Sequence, residues 1–508
     1  MKPLLPALAV CVLLAPLSAA QAQTSAKILK IVAPWEIGGL DPARSGYIFS
    51  RMGVVETLVS ADAEGRPVPA LAERWEVAAD GLTWRFALRP GVVFHDGTPV
   101  TAEALVASLE KARKAPALLA SVPIARIAAE PGAVVIQTER PFRSLLAFLA
   151  HYSSMILAPA AYGADGGVTA MIGSGPYRVV AINAPLTLET ARFERWWGPK
   201  PAIESVSYQS AGRGETRAAL AESGQADIVY VLAPETVDRL KRLPKLNVSV
   251  QPIPRVRTLK LNAGSPYFSD PRVRQAVSLA IDREGIAAAI LRSPASTATQ
   301  LFPPSLGDWY QKDLPPLGFD PAKAAVLLDA AGWRVGADGT RVKDGLPFKV
   351  ALRTFSDRPE LPPVATALQA QLKAVGLDVA VSITNSGEIP AGHRDGTLQM
   401  GLAARNFSLV PDPLGTLLQD FGPEGGDWGA MGWKNDRLIA ALGQLSAEAD
   451  AAARAQLRRE IAGILHTELP VIPVAWYDYA VAANKRVKGV VIDPLELSYN
   501  IERMAWAE

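Results

Sequence analysis

Two separate stretches of this chain alternate strand-like with helix-like hydrophobic patterns, and no other feature narrows the fold as far. In the first, KILKIVAP (27 to 34) and IESVSYQSA (203 to 211) read as strands, and RGETRAALAESG (213 to 224) reads as a helix closed by Gly224. ADIVYVL (226 to 232) is then a strand, PETVDRLKRL (234 to 243) a helix opened by Pro234, and KLNVSVQPI (245 to 253) a strand. The second stretch opens at Asp270-Pro271: Asp offers a side-chain acceptor to the free N–H groups of a helix start, and Pro fits the first helical position. Val273, Ala276, Val277, Ala280 and Ile281 then fall on one helical face. The Asp-Pro opening recurs at Asp320-Pro321, in a helix ending at Gly332, and FKVALRT, LPPVATALQAQLKAVG and LDVAVSIT (348 to 384) continue as strand, helix and strand. Alternation of this kind calls for a largely parallel, doubly wound sheet, and two blocks of it in 508 residues call for two α/β lobes.

A different texture separates the N-terminal strand from the rest of the first block. RWEVAADGLTWRFALRPG has two alternating runs around Asp80-Gly81, a hairpin signal, and Asp96-Gly97 marks the next turn. Thr101 then caps a helix, with Glu103 well placed for its dipole. Residues 56 to 170 are therefore expected to form a partly antiparallel insert.

The chain begins with one Lys, an apolar run from Leu4 to Leu17 and a small-residue end at Ala20-Gln21-Ala22, the pattern of a secretory leader over residues 1 to 22. Cys11, the single cysteine, lies inside that run; lipid anchoring would need processing there, and cleavage after Ala22 is the preferred reading. The exported chain would then have no disulfide, thiolate metal site or Cys nucleophile. Its formal charge of +2, lowered to +1 by loss of Lys2, gives no reason to expect nucleic acid or a membrane surface as a partner. The longest later apolar stretch, Ser144 to Tyr162, is interrupted by His151 and Pro159 and is not a membrane span.

Catalytic patterns are thin. His95-Asp96 falls on a turn where Asp-Gly supplies turn geometry, and adjacency in sequence gives a His neither a substrate-facing position nor an orienting partner. Ser108 and Lys111 have S-x-x-K spacing, which raises a secreted serine acyl enzyme as a rival reading, but the accompanying S-D-N and K-T-G motifs are absent. G-x-S-x-G, H-E-x-x-H, P-loop and G-x-G-x-x-G patterns are absent as well, and the four His lack ligand spacing. No catalytic residue, metal ligand or cofactor is expected. Asn247-Val-Ser249 matches the glycosylation sequon, a pattern that arises by chance in chains of this size.

LAERWEVAADGLTWRFALRPGVVFHDGTPVTAEALVASLEKAR (71 to 113) resembles the signature region of the large extracytoplasmic solute-binding proteins of ABC transporters, family 5, the peptide- and nickel-binding group. GSGPYRVV (173 to 180), LNAGSPYFSDPRVRQAVSLAIDRE (261 to 284), GFDPAKAAVLLDAAGW (318 to 333) and LHTELPVIPVAW (465 to 476) are similar to its later landmarks, in the same order. The resemblance implies a type II periplasmic binding protein fold: two α/β lobes on a two-strand hinge, with an extra insert in the first, closing on a ligand. In this sequence it implies a first lobe from 23 to 55, 171 to 262 and 481 to 508, an insert from 56 to 170 and a second lobe from 263 to 480. Crossovers are expected near Leu261 to Gly264 and Val474 to Ala482. It further implies a periplasmic monomer that hands a small solute or peptide to an ABC permease, with a metal chelate of the nickel type as the alternative. A chaperone-like or sensor protein without a small ligand remains a rival from another class.

Ligands of open α/β sheets sit beyond the carboxyl ends of the strands. The candidate contacts are therefore Trp35 and Glu36, Arg353 and Thr354, and Arg405-Asn406-Phe407, with Trp428 and Trp433 in a lid-like GGDWGAMGW loop. In peptide-binding members an Asp four residues before the Pro of an Asp-Pro or Glu-Pro step pairs with the ligand ammonium. Here the step is Asp412-Pro413 and the corresponding residue is Leu409, so a peptide N-terminus loses its counter-charge unless Asp412 supplies it. Arg405 makes an anionic or carboxylate-bearing solute the rival to peptide.

Overall fold

The computed structural model describes residues 27 to 508 apart from Pro116 and Glu424, so the leader lies outside the described residues. Its strands follow the hydrophobic alternation of the sequence. In chain order the central sheet contains β1 (Ile28–Ala33), β2 (Tyr177–Asn183), β3 (Thr187–Arg192), β4 (Ser205–Ser210), β5 (Ile228–Tyr230), β6 (Leu246–Leu261), β7 (Lys349–Phe355), β8 (Asp378–Thr384), β9 (Met400–Asn406) and β10 (Val471–Asn484). They lie side by side as β8-β7-β9-β6-β10-β5-β1-β4-β3-β2.

The sheet is mixed, which corrects the expectation of a largely parallel one. β1 runs parallel to β4 and β5, and β7 parallel to β8 and β9, but every pairing of β6 and β10 is antiparallel. The reason is topological: these two long strands carry the chain out of one lobe and back, so each lobe meets them in opposite senses. Ile253, Tyr477, Tyr479 and Val481 pack in the core of the first lobe, whereas Leu259, Leu261, Val474 and Ala475 pack in that of the second. The outward crossing therefore falls at Ile253–Val256, where the register slips, and not at Leu261–Gly264. Pro252 precedes the slip and Pro254 lies within it, and both lack the N–H that a regular ladder requires.

Residues 72 to 138 form a separate four-stranded antiparallel sheet with its own core around Phe86, Phe94, Leu105 and Phe148. Its first hairpin turns at Asp80-Gly81: the Asp80 carboxylate accepts from the Leu82 N–H at 2.8 Å, and Gly81 takes a φ of 69°. Four helices pack around these sheets at positions that bear on function: α1 (Pro42–Arg51), α2 (Ala102–Lys114), α3 (Glu388–Arg394) and α4 (Pro413–Phe421). None of the described helices is long and apolar enough to cross a membrane.

Candidate ligand-binding cleft

The ends of β1, β7, β8 and β9 converge on a cavity of about 250 Å³ between the lobes. The first lobe contributes Trp35, Tyr47, Arg51 and Tyr152; the hinge strand β6 contributes Arg255. The second lobe contributes Phe355, Asp357, Arg358, Ser386, Ala404, Arg405, Asn406, Leu409 and Trp428.

Four arginines dominate its charge. Arg405 grips Asp420 through Nε and Nη2, each at 2.7 Å, and Gln419 at 2.8 Å. Arg255 donates through Nε and Nη2 to the Glu496 carboxylate and through Nη1 to the Ala404 carbonyl at 2.6 Å. Arg51 lies 4.2 Å above the Trp35 ring, and its Nε donates to the Glu496 carbonyl at 2.8 Å, while its Nη1 is buried without a partner. Arg358 is buried, donates to the Tyr477 hydroxyl at 2.8 Å, and has no ion pair among the described residues.

Glu496 anchors this wall from the C-terminal tail and also accepts from the Asn406 amide at 2.7 Å. Burial opposes its ionisation, but Arg255, Arg358 and Arg51 outweigh burial and hold it at about 2. Two carboxylates thus face four cations: Asp420 pairs with Arg405, and Glu496 is shared between Arg255 and, at 4.0 Å, Arg51. Asp357 faces the same cavity, half-buried, with no hydrogen bond or ion pair among the described residues.

Of the residues expected at the site, Trp35, Arg405, Asn406 and Trp428 line the cavity. Glu36 is exposed outside it, and only its carbonyl accepts from the Tyr47 hydroxyl, at 3.4 Å. Arg353 and Thr354 belong to β7 itself: Arg353 donates to Thr397 at 3.1 Å, and buried Thr354 donates to the Leu402 carbonyl at 3.0 Å. The strand runs on to Phe355, so the loop that reaches the cleft begins later and brings Asp357 and Arg358 instead. Phe407 is core, edge-on to Phe302 at 5.6 Å. Trp433 is packed away with Phe421 and donates to Glu468 at 2.8 Å. Asp412 caps α4, accepting from the Leu414 N–H at 3.0 Å and the Ser144 hydroxyl at 2.8 Å. It does not reach the cavity, while Leu409 does.

The two catalytic-looking motifs are spent within the fold. His95 bonds through Nε2 to the Gly175 carbonyl at 3.0 Å and meets Phe193 edge-on. Ser108 is buried on α2, accepts from the Leu157 N–H at 3.2 Å and lies 3.1 Å from the Tyr162 hydroxyl, and the Lys111 ammonium sits 4.4 Å over the Tyr162 ring. Among the described residues no three His, Cys, Asp or Glu side chains are placed to hold a metal ion.

Comparison with known proteins agrees with this architecture. Residues 66 to 428 match the model of the bacterial extracellular solute-binding proteins, family 5. The chain is 27% identical over 492 residues to the nickel-binding periplasmic protein of Escherichia coli K12, covering 93% of each. It is 26% identical over 456 residues to the glutathione-binding protein GsiB of the same strain, covering 86% of each. The crystal structure of NikA from Brucella suis in complex with Fe(III)-EDTA superimposes with a TM-score of 0.83 at 27% identity, covering 94% of this chain and all of the other.

Proposed function

Because the chain belongs to the bacterial extracellular solute-binding proteins of family 5, we propose that its cleft captures a small solute bearing one or more carboxylates. The protein is the extracytoplasmic solute-binding component of an ABC import system, and the captured solute passes to the membrane permease. We place it in the periplasm as a monomer with its leader removed and without enzymatic activity. The proposed ligand contacts are Trp35, Arg51, Asp357, Arg358, Arg405 and Trp428.

One observation carries the reading: the cavity wall holds four arginines that share two ion-paired carboxylates, Glu496 serving both Arg255 and Arg51, while Arg358 has no ion pair among the described residues and one Arg51 nitrogen is unsatisfied. Guanidinium N–H groups left over after these bonds can donate charge-assisted hydrogen bonds to an entering carboxylate. The volume of about 250 Å³ lies just below the usual range of roughly 300–1,000 Å³ for ligand pockets, which favours a small solute. A solute that also carries an ammonium group would meet Asp357. A metal chelate is the second reading: nickel is named for one relative and Fe(III)-EDTA for a solved one. A metal wrapped in carboxylates presents the same anionic surface to these arginines.

Calorimetry with the dipeptide Met-Leu, glutathione and Fe(III)-EDTA tests the class. Arg358→Ala should weaken binding of an anionic probe by roughly 10- to 150-fold, the size of a charge-assisted hydrogen bond of about 1.5–3 kcal/mol. Unchanged affinity in that variant, or equal binding of the amidated and free-acid forms of a probe, would overturn the carboxylate assignment.

A further inference from the structure

Next to the loop that carries Trp428 lies a second charged cluster, centred on Lys260, that shares only the Arg405–Asp420 pair with the arginine wall. Lys260, on β6, is 3% exposed. Its ammonium donates to the Asp427 carbonyl at 2.6 Å and faces His393 Nδ1, on α3, at 2.5 Å. The same Nδ1 lies 3.0 Å from the Asp427 carbonyl, and the Asp427 carboxylate is held by Arg394 of α3. The next residue is Trp428, which lines the cavity and meets Phe355 edge-on at 6.5 Å. The loop is thus tied to the second lobe through both backbone and side chain of the residue directly before its cleft tryptophan.

The charges around Lys260 come from every element packed on it: Asp420 of α4, Asp427 of the loop, Arg405 of β9, and His393 and Arg394 of α3. Arg405 pairs with Asp420 and Arg394 with Asp427, so the Lys260 proton is the uncompensated charge of the group. A carbonyl only accepts, so the contact between Lys260 Nζ and His393 Nδ1 is a hydrogen bond as long as Nδ1 keeps its lone pair for the ammonium. A second proton, on Nδ1, replaces that bond with two cations face to face, and the Nδ1–H then competes with the Lys260 ammonium for the Asp427 carbonyl.

We propose that Lys260 is a positioning residue for the cleft: bonded to His393 and to the Asp427 carbonyl, it seats Trp428 in the cavity wall, and the seat loosens when His393 takes up a proton. This deepens the function proposed above and rests on that reading for its consequence in solute binding. Burial pushes Lys260 down to about 7 despite Asp420 and Asp427, and burial together with Lys260 holds His393 below the ordinary imidazole range. The second proton therefore enters only on the acid side.

Hydrogen exchange of the ligand-free, full-length protein tests the seat without any solute, through peptides covering 425 to 431. With rates corrected for intrinsic pH dependence, the wild type should protect this segment near neutrality and lose roughly tenfold at about pH 5, below the unperturbed imidazole value. Lys260→Met should lose protection at both pH values and respond little to pH. Its urea midpoint should be unchanged or raised, because an apolar chain replaces a buried charge, and that marks the loosening as local. His393→Gln, whose amide oxygen still accepts from the ammonium, should keep the neutral protection and abolish the acid loss. Wild-type protection in Lys260→Met, or an acid loss that persists in His393→Gln, would overturn the proposal, and the second variant decides alone if the first does not fold. A segment that behaves as expected in a protein binding no anionic probe supports the seat and counts only against the proposed function.

Discussion

Protonating His95 would bury a charge with nothing to receive it. Its Nε2 is committed to the Gly175 carbonyl and its Nδ1 is buried without a partner, so burial pushes the imidazole down to about 4. His151, whose ring lies tilted against Tyr152 at 3.9 Å, is held lower still, at about 3, by burial and by Arg405. Both values lie below that of an unfolded imidazole, so between about pH 6.5 and the folded values the unfolded chain binds more protons. Stability is therefore lost as pH falls through that window, by up to about 1.4 kcal/mol per pH unit for each histidine. Glu56 titrates with the opposite sign: burial lifts it to about 7 although Ser174, Trp196 and Trp197 donate to it. Comparison of the wild type with His95→Gln isolates the imidazole, since Glu56 is common to both. Urea midpoints taken from neutrality down to about pH 4.5 should show the wild type losing ground to the variant as acid is added; a constant difference across that range would refute the assignment of a neutral, buried His95.

At the scale of elements, the helix starts were legible because capping is local. Asp270, Asp320 and Thr101 each accept from an N–H two or three residues ahead, at 2.9, 2.8 and 3.3 Å. Asp412 obeys the same rule for α4, and that local role is why it cannot serve a ligand ammonium. What its sequence context did not reveal is its second bond, from Ser144 of the insert at 2.8 Å, next to a bond from the Arg143 N–H to the Ser446 carbonyl at 2.8 Å. The insert thereby fastens to the second lobe, where Val410 also packs into its core. Ser144→Ala removes one of these bonds and leaves the cap intact. It should lower the affinity for whichever probe the wild type binds by about fivefold, the equivalent of about 1 kcal/mol for one hydrogen bond between the lobes. Calorimetry that finds no difference would show the bond to be irrelevant to closure.

For the molecule as a whole, the two strands β6 and β10 are the hinge, and a solute bound between the lobes stabilises only the folded, closed arrangement. Anionic probe at a hundred times its dissociation constant should raise the free energy of unfolding by about 2.7 kcal/mol, read as a shift of the thermal or urea transition. A probe that binds by calorimetry yet leaves the transition in place would have to bind the unfolded chain equally well, and so would not occupy a cleft made by the fold.

The sequence by itself determined the alternation of strand and helix, the Asp-Pro and Thr caps, the Asp-Gly turns and the family, because each is written in neighbouring residues or in one long contiguous signature. It also singled out Trp35, Arg405, Asn406 and Trp428, which line the cavity. Only the tertiary structure decided the sense of the sheet and the electrostatics of the cleft. Arg51 and Glu496 meet across 445 positions, Arg255 and Glu496 across 241, and no local period links them. The remaining misplacements have a physical source at the ends of elements: β7 extends to Phe355, and that small extension exchanges Arg353 and Thr354 for Asp357 and Arg358 in the cavity wall. Strand ends are fixed by which partner strand continues beside them, here β8 through Thr384, and that partner is chosen by packing rather than by the residues of the strand itself.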